Sequence, residues 1–425
     1  MKIAIVGAGI SGNVVAYHLR DAHEITVYEA GHYVGGHTNT VDVDDAAGPI
    51  AIDTGFIVFN DRTYPHFRSL LADLGQASRK SVMSFSVRSE KSGLEYCGST
   101  LGGLFAQRRN LVRPRFLRMI RDILRFNRQA VIDIQDLAAG TTVAEYLASG
   151  NYSADFADNY LVPMSAAIWS AEPGQVLDMP LHFLVRFFHN HGLLQIKDRP
   201  TWYTIEGGSR EYVNKLVRGH RDRIRLSTPV ESISRLGDGV QVRASGCEPQ
   251  RFDYVFIAAH ADQALKMLAD PTQAERDVLG AIPYQSNEAI LHSDEKLMPR
   301  RRQAWAAWNY HVPKDAGGAM SVTYNMNILQ GIRAKHQYCV TLNARERIDE
   351  SRIHYATTYA HPVFTAESVT AQQRHEEVNS GNRTAFCGAY WRNGFHEDGV
   401  YSALEALRHF EQEQRREELS VRRAS

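Results

Sequence analysis

The chain has 425 residues, of which 44% are hydrophobic, and 48 basic side chains balance 48 acidic ones for a formal net charge of +0. That composition describes a globular protein with a substantial core, large enough for two domains, and it excludes nucleic-acid binding through the surface as a whole. Cys97, Cys247, Cys339 and Cys387 have neither CxxC nor metal-ligand spacing, so reduced cysteines and no metal site are expected.

Residues 2–6 form a short apolar, β-branched run suited to a buried parallel strand, and residues 13–20 read as the helix after it. This start is used by the fold rather than by a secretory signal, and no run approaches eighteen apolar residues. A cytoplasmic protein is expected, with membrane contact at most peripheral, on the inner face. Between strand and helix lies VGAGISGNVVAY, a Gly-x-Gly-x-x-Gly pattern. Gly7 makes the tight turn, Gly9 lets backbone approach a pyrophosphate, and Gly12 lets helix and strand pack closely. The N–H groups of the first helical turn are then aimed at the anion, with Ile10 and Ser11 of the loop also expected at the cofactor. The next strand, HEITVYEA, ends in Glu29 and Ala30, where a carboxylate accepts ribose hydroxyls. Nicotinamide and flavin dinucleotides share this grip.

A second glycine pair, Gly35 and Gly36, precedes His37 and Thr38, and the β-rich run IAIDTGFIVFN is broken at Asp53, Thr54 and Gly55. Gly55 lets a strand pass close to a flat ring, beside Phe56. Residues 76–200 read as mostly helical, and residues 108–128 hold eight arginines and one acid. That run fits a basic amphipathic helix on anionic lipid, or a solvated face whose apolar side meets the core. HNHG supplies His189 and His191, proton carriers or hydrogen-bonded core histidines.

Gly207-Gly208 precedes an amphipathic helix, a hairpin follows, and residues 252–265 run from a buried strand through Ala259 and His260 into a helix. Residues 266–383 contain the β-like runs NEAILHS, AWAAWNYH, MSVTYNM and YCVTLN. Residues 384–407 pass through Gly388 as strand, loop and a helix starting near Asp398 and Gly399, with His396 and Glu397 as further proton carriers. Tyr390, Trp391, Trp202 and Tyr310 are candidates to line a ring pocket, and the last fifteen residues read as a charged helical end that frays. The organisation expected is α/β: a discontinuous nucleotide-binding domain from residues 1–75, 201–265 and 384–425, and an inserted α+β substrate domain from residues 76–200 and 266–383.

The glycine motif with Glu29, the pairs Gly35-Gly36 and Gly207-Gly208, the strand ending at His260 and the closing segment from Cys387 to Gly399 resemble the flavin-containing amine oxidase and phytoene desaturase superfamily over nearly the whole chain. More narrowly, DTGFIVFNDRTYPHF, AAIWS, RFFHNHGLL, AWAAWNYH and GAYWRNGFHEDG resemble a bacterial subfamily of FAD-dependent oxidoreductases found beside cyclopropane-fatty-acid synthases. The resemblance implies a Rossmann-like FAD domain of the amine-oxidase and glutathione-reductase type. It places the ribose on Glu29, the pyrophosphate at Gly9 to Gly12, the ribityl chain near Gly36 to Thr38 and the adenine near Val230. The isoalloxazine falls near Gly55, Phe56, Gly399 and Val400, and Thr54, Ala259, Gly388 and Asp398 complete the cofactor set. His37 stands where many members carry arginine. No covalent-flavin cysteine motif occurs, so non-covalent FAD is expected, and the lack of a second Gly-x-Gly-x-x-Gly argues against a built-in nicotinamide domain.

Chemistry of this class moves hydride from a substrate C–H to flavin N5. The arginine run and the synthase neighbourhood point to dehydrogenation of an unsaturated or methyl-branched fatty acyl chain of a phospholipid. The expected partners are that lipid, a cyclopropane-synthase-like methyltransferase and an anionic membrane surface, with no nucleic acid. The competing readings are an amine oxidase releasing hydrogen peroxide, a double-bond isomerase, and an FAD-loaded, non-catalytic partner of the methyltransferase.

Overall fold

Lys2–Val6 is the central strand of a parallel sheet ordered Ile224–Arg225, Glu24–Tyr28, Lys2–Val6, Tyr254–Ile257, Thr384–Phe386. This is seen in a computed structural model that describes residues 1–46, 48–314 and 321–424. Both faces of the sheet are covered, which is why residues 3–6 and Tyr254–Ile257 at its centre are continuously apolar and buried rather than alternating. Ile3 and Ile5 pack with Val14, Val15, Ala403 and Leu407 on one side. Ala4 and Val6 pack on the other with Val240 and Val242 of the antiparallel sheet Val230–Leu236, Gly239–Ala244, Gln250–Phe252.

The helix after the first strand spans Ile10–Leu19, three residues earlier than expected. Gly9, with φ −74° and ψ −171°, is its extended N-cap, and the Asn13 N–H donates to the Gly9 carbonyl. The closing helix spans His396–Ala424, so the end expected to fray is helical to Ala424, and Ser425 lies outside the described residues. It also starts earlier than expected, because Asp398 lies in its first turn and accepts the N–H groups of Asn393 and Phe395.

A seven-stranded sheet is ordered Ile353–Pro362, Tyr284–His292, Cys339–Leu342, Ser321–Asn325, Trp308–Val312, Phe85–Ser89, Leu94–Cys97. The pairing of Trp308–Val312 with Phe85–Ser89 is parallel, and the other pairings are antiparallel. One apolar core joins this sheet, through Val87, Leu291, Val322 and Val340, to Phe116, Phe126, Phe183 and Phe188 of the helices Pro114–Asp133 and Leu181–Asn190. Residues 76–200 are therefore not uniformly helical. Ser78–Ser81 is a strand because it pairs with Trp202–Ile205, although SRKS carries no strand signal of its own.

Candidate active site

The motif glycines fall into two kinds. A Cβ on Gly7, whose φ is +103°, would lie 2.5 Å from the Ala258 carbonyl oxygen, and one on Gly12 would lie 1.9 Å from that of Gly7. These two are required by packing. A Cβ on Gly9 would meet nothing within 4 Å, because Gly9 faces open space. The second glycine pair closes over the first: Gly36, with φ +60°, would place a Cβ 3.2 Å from the Gly9 Cα. Gly55 would place one 2.1 Å from the His37 carbonyl oxygen, so three segments distant in sequence converge here. Glu29 is fixed at the mouth of the loop, accepting the N–H of Ala8 and the N–H of Gly31, each at 2.7 Å.

The open space is a cavity of about 730 Å³, within the usual size of small-molecule and cofactor sites. Of the expected cofactor residues, Gly7, Gly9, Ile10, Ser11, Glu29, Ala30, Gly35, Gly36, His37, Thr54, Gly55, Phe56, Val230, Ala259 and Gly388 line it, as does His396. Five others stand behind the wall. Gly12 packs on Gly7, and Gly399 accepts a 2.9 Å hydrogen bond from Ser11 Oγ. Val400 is core, Asp398 braces the start of its helix, and Thr38 is bonded to the Tyr212 hydroxyl at 2.6 Å. Gly207-Gly208 serves Asp53, whose carboxylate accepts the N–H of Ser209 and the hydroxyl of Thr40; burial pushes Asp53 up to about 6.

The cavity has two chemically distinct ends. Its charged lining residues, Glu29, Glu231 and Lys266, all come from the elements around the parallel sheet. Against the seven-stranded sheet it is walled by Trp169, Trp308, Tyr324, Leu342, Tyr359 and Phe364, with no charged side chain. Tyr390 lines the cavity, as expected; Trp391, Trp202 and Tyr310 do not, and Trp391 instead donates its indole N–H to the Phe386 carbonyl. Tyr359 and His361 come from Ile353–Pro362, a strand not among those expected; its signal in the sequence is the period-two recurrence of Ile353, Tyr355, Thr357 and Tyr359.

The profile of the flavin containing amine oxidoreductases matches residues 10–326. The chain belongs to that family. No curated protein matches it by sequence. Among solved structures, cyclohexylamine oxidase from Brevibacterium oxydans IH-35A is similar over 95% of this chain and 97% of its own, with 17% identity and a TM-score of 0.66. The CLA-producing fatty acid isomerase from P. acnes is similar over 96% and 98%, with 15% identity and a TM-score of 0.67. Putrescine oxidase bound to putrescine covers 96% and 99%, with 14% identity and a TM-score of 0.62. At these identities the likeness is one of fold. The protein is an FAD-dependent oxidoreductase, and its residues suit that cofactor: open backbone at Gly9, a helix N-terminus pointing into the cavity, and a carboxylate in place for ribose hydroxyls.

Four histidines, His37, His260, His361 and His396, also line the flavoprotein's cavity. The His37 ring centroid lies 6.2 Å from that of His260 and 5.4 Å from that of His361; His37 stacks on Tyr359, and His260 on Tyr284. Desolvation holds all three below the usual imidazole range, His361 at about 4. His396 stacks on Phe56 at 3.8 Å, its Nε2 lies 2.5 Å from the Tyr212 hydroxyl, and burial drives its pKa to about 3. It touches the cavity as a neutral, weakly basic ring. His191 faces a second cavity of about 460 Å³ that shares Tyr64 and Phe395 with the first; its Nδ1–H donates to the Phe187 carbonyl, and burial lowers it to about 4. His189 is exposed and lines neither cavity. The two members of HNHG are thus set apart from the residues that converge on the cofactor site.

Proposed function

We propose that this oxidoreductase dehydrogenates a fatty acyl chain, and that the uncharged wall of Trp169, Trp308, Tyr324, Leu342, Tyr359 and Phe364 receives it. This wall is the observation that carries the reading: it rewards burial of methylenes at about 0.8 kcal/mol each and offers no carboxylate to a cationic substrate. When bound, FAD supplies the two-electron acceptor for the hydride that leaves a substrate carbon. The protein's own part is to hold the chain, exclude water with its aromatic rings and keep the neighbouring polar groups neutral. A desaturation also releases a proton from the adjacent carbon, and the neutral imidazoles of His260 and His361 along the same cavity are its acceptors. FAD is held non-covalently on this reading: among the described residues no cysteine lines the cavity, and acid precipitation should release the yellow cofactor into the supernatant.

A second reading, amine oxidation, is favoured by the same aromatic faces, which suit a cation held over a ring. Anaerobic mixing separates the two. An acyl substrate in mixed micelles should bleach the visible flavin absorbance and lose two hydrogens by mass. Bleaching by putrescine or an aromatic amine, with no response to lipid, would replace the acyl reading with the amine one.

A further inference from the structure

Six of the twelve exposed large hydrophobic side chains among the described residues lie between residues 101 and 132: Leu101, Leu111, Val112, Leu117, Leu124 and Ile132, 37% to 80% exposed. Leu117, Leu124 and Ile132 lie on the helix Pro114–Asp133 and Leu111 and Val112 lead into it, while the core side of that helix is already occupied. Phe116, Met119, Phe126 and Ala130 are buried, and Phe126 packs edge-on against Tyr146 and Tyr152. The exposed apolar residues are therefore not the ones that fasten the helix to the protein. Leu117, Arg121, Leu124, Arg128 and Ile132 follow one another at spacings of three and four, which sets them in one row along the outer face. A helix stabilised only by its inner stripe has no need of a second aliphatic row in water.

The charges sort in the same way. Arg115 pairs with Asp155 at 2.8 Å, and Arg118 and Arg125 lean on Asp122, at 4.0 Å and 3.5 Å. Asp122, the acid of the run, is buried and accepts both the N–H and the hydroxyl of Ser153. Arg109 and Arg113 donate to the carbonyls of Gly93 and Ser92. Among the described residues, Arg108, Arg121 and Arg128 meet no carboxylate, and no acid interrupts the outer row. The surface presented is aliphatic tips alternating with unneutralised guanidinium groups.

We propose that the outer row of Pro114–Asp133, continued by Leu111 and Val112, docks on an anionic lipid surface. Leucine and valine tips enter the acyl boundary while the arginines extend toward lipid phosphates, an arrangement that suits a helix lying in the plane of the interface. A protein partner with an acidic face would satisfy the arginines but leave the isolated aliphatic tips without a matching groove, so lipid is the occupant that fits both halves of the pattern.

The test is co-sedimentation of the full FAD-loaded chain with vesicles of phosphatidylglycerol and phosphatidylcholine in equal parts, against vesicles of phosphatidylcholine alone. Binding should require phosphatidylglycerol and weaken with salt. Arg121→Glu with Arg128→Glu, and separately Leu117→Gln with Leu124→Gln, should each lower binding about tenfold or more, while Arg276→Glu, on an unrelated helix, leaves it unchanged. Retained yellow colour and an unchanged melting temperature identify the variants as folded. Undiminished binding by either double variant, equal binding of the native chain to phosphatidylcholine alone, or loss of self-association rather than of vesicle binding in the leucine variant would overturn the proposal. Vesicle binding does not depend on turnover, so its outcome is independent of the acyl-chain reading.

Discussion

A Cβ on Gly12 would lie 1.9 Å from the carbonyl oxygen of Gly7, whereas Gly9, between them in the same motif, borders empty space. The three glycines are therefore separable by experiment. Gly12→Ala forces a methyl group into backbone and should destabilise the apoprotein by about 3 kcal/mol or more. Gly9→Val keeps an ordinary extended φ of −74°, so its apo melting temperature should stay within about 2 °C of native. Its branched side chain occupies the space that the pyrophosphate needs, and FAD affinity should fall about 100-fold or more, roughly 2.8 kcal/mol. Thermal unfolding and FAD titration check both variants; stoichiometric FAD in Gly9→Val would refute the assignment of this loop.

Glu29 spends both carboxylate oxygens on backbone amides, those of Ala8 and Gly31, while still bordering the cavity. Glu29→Ala leaves two N–H groups without their charged acceptor and removes the ribose contact. With charge-assisted hydrogen bonds worth about 1.5–3 kcal/mol, FAD dissociation should rise about 10- to 100-fold. Glu29→Gln, which retains one acceptor oxygen, should fall between native and alanine when dissociation constants are compared by fluorescence titration.

The two ends of the cavity differ in how far they can be read from sequence. The glycine loop and Glu29 are legible because one strand–turn–helix–strand unit contains them both, and each residue type answers a local demand, although the helix itself begins at Ile10 rather than Asn13. Trp169, Tyr324, Tyr359 and Phe364 come from separate segments, and each reads in isolation as an ordinary core aromatic. Only the pairing of Ile353–Pro362 with Tyr284–His292 brings Tyr359 and His361 to the wall. The strand Ser78–Ser81 is polar and short, so tertiary pairing decides its conformation. His396 was legible as a residue near the closing helix, but its environment was not. The stack on Phe56 and the contact with Tyr212 join three parts of the chain, and those contacts set its proton affinity.

Acid should weaken the apoprotein through its buried histidines, an effect that Asp53, held up at about 6 by burial, only partly opposes as it takes up a proton in the folded state. An unfolded imidazole titrates near 6.5, whereas burial holds His361 at about 4 and His396 at about 3. The unfolded chain therefore binds more protons than the folded one below pH 6.5, and stability falls as pH drops through that value until the folded groups titrate. Urea midpoints should decline from pH 7.5 to pH 5. His396→Gln should remove up to one proton's worth of this slope, about 1.4 kcal/mol per pH unit at most, between pH 4 and pH 6. An unaltered slope in that variant would show that His396 titrates normally in the folded protein.

His37 sits in the loop that closes over Gly9, and His260, His361 and His396 surround it without a carboxylate among them. Desolvation keeps the group neutral in the apoprotein, and at His37 the neighbouring imidazoles add to it. A bound pyrophosphate reverses the balance, since a nearby negative charge favours the protonated imidazole. FAD binding should then take up protons near neutral pH and be tighter at pH 6 than at pH 8. Calorimetric titrations in buffers of different ionisation enthalpy measure that uptake directly. His37→Arg carries a permanent charge in the same loop, and it should bind FAD with an affinity that varies less with pH. Equal proton uptake by the native chain and by this variant would place the titrating group elsewhere in the cavity and remove His37 from the account of how the cofactor's charge is met.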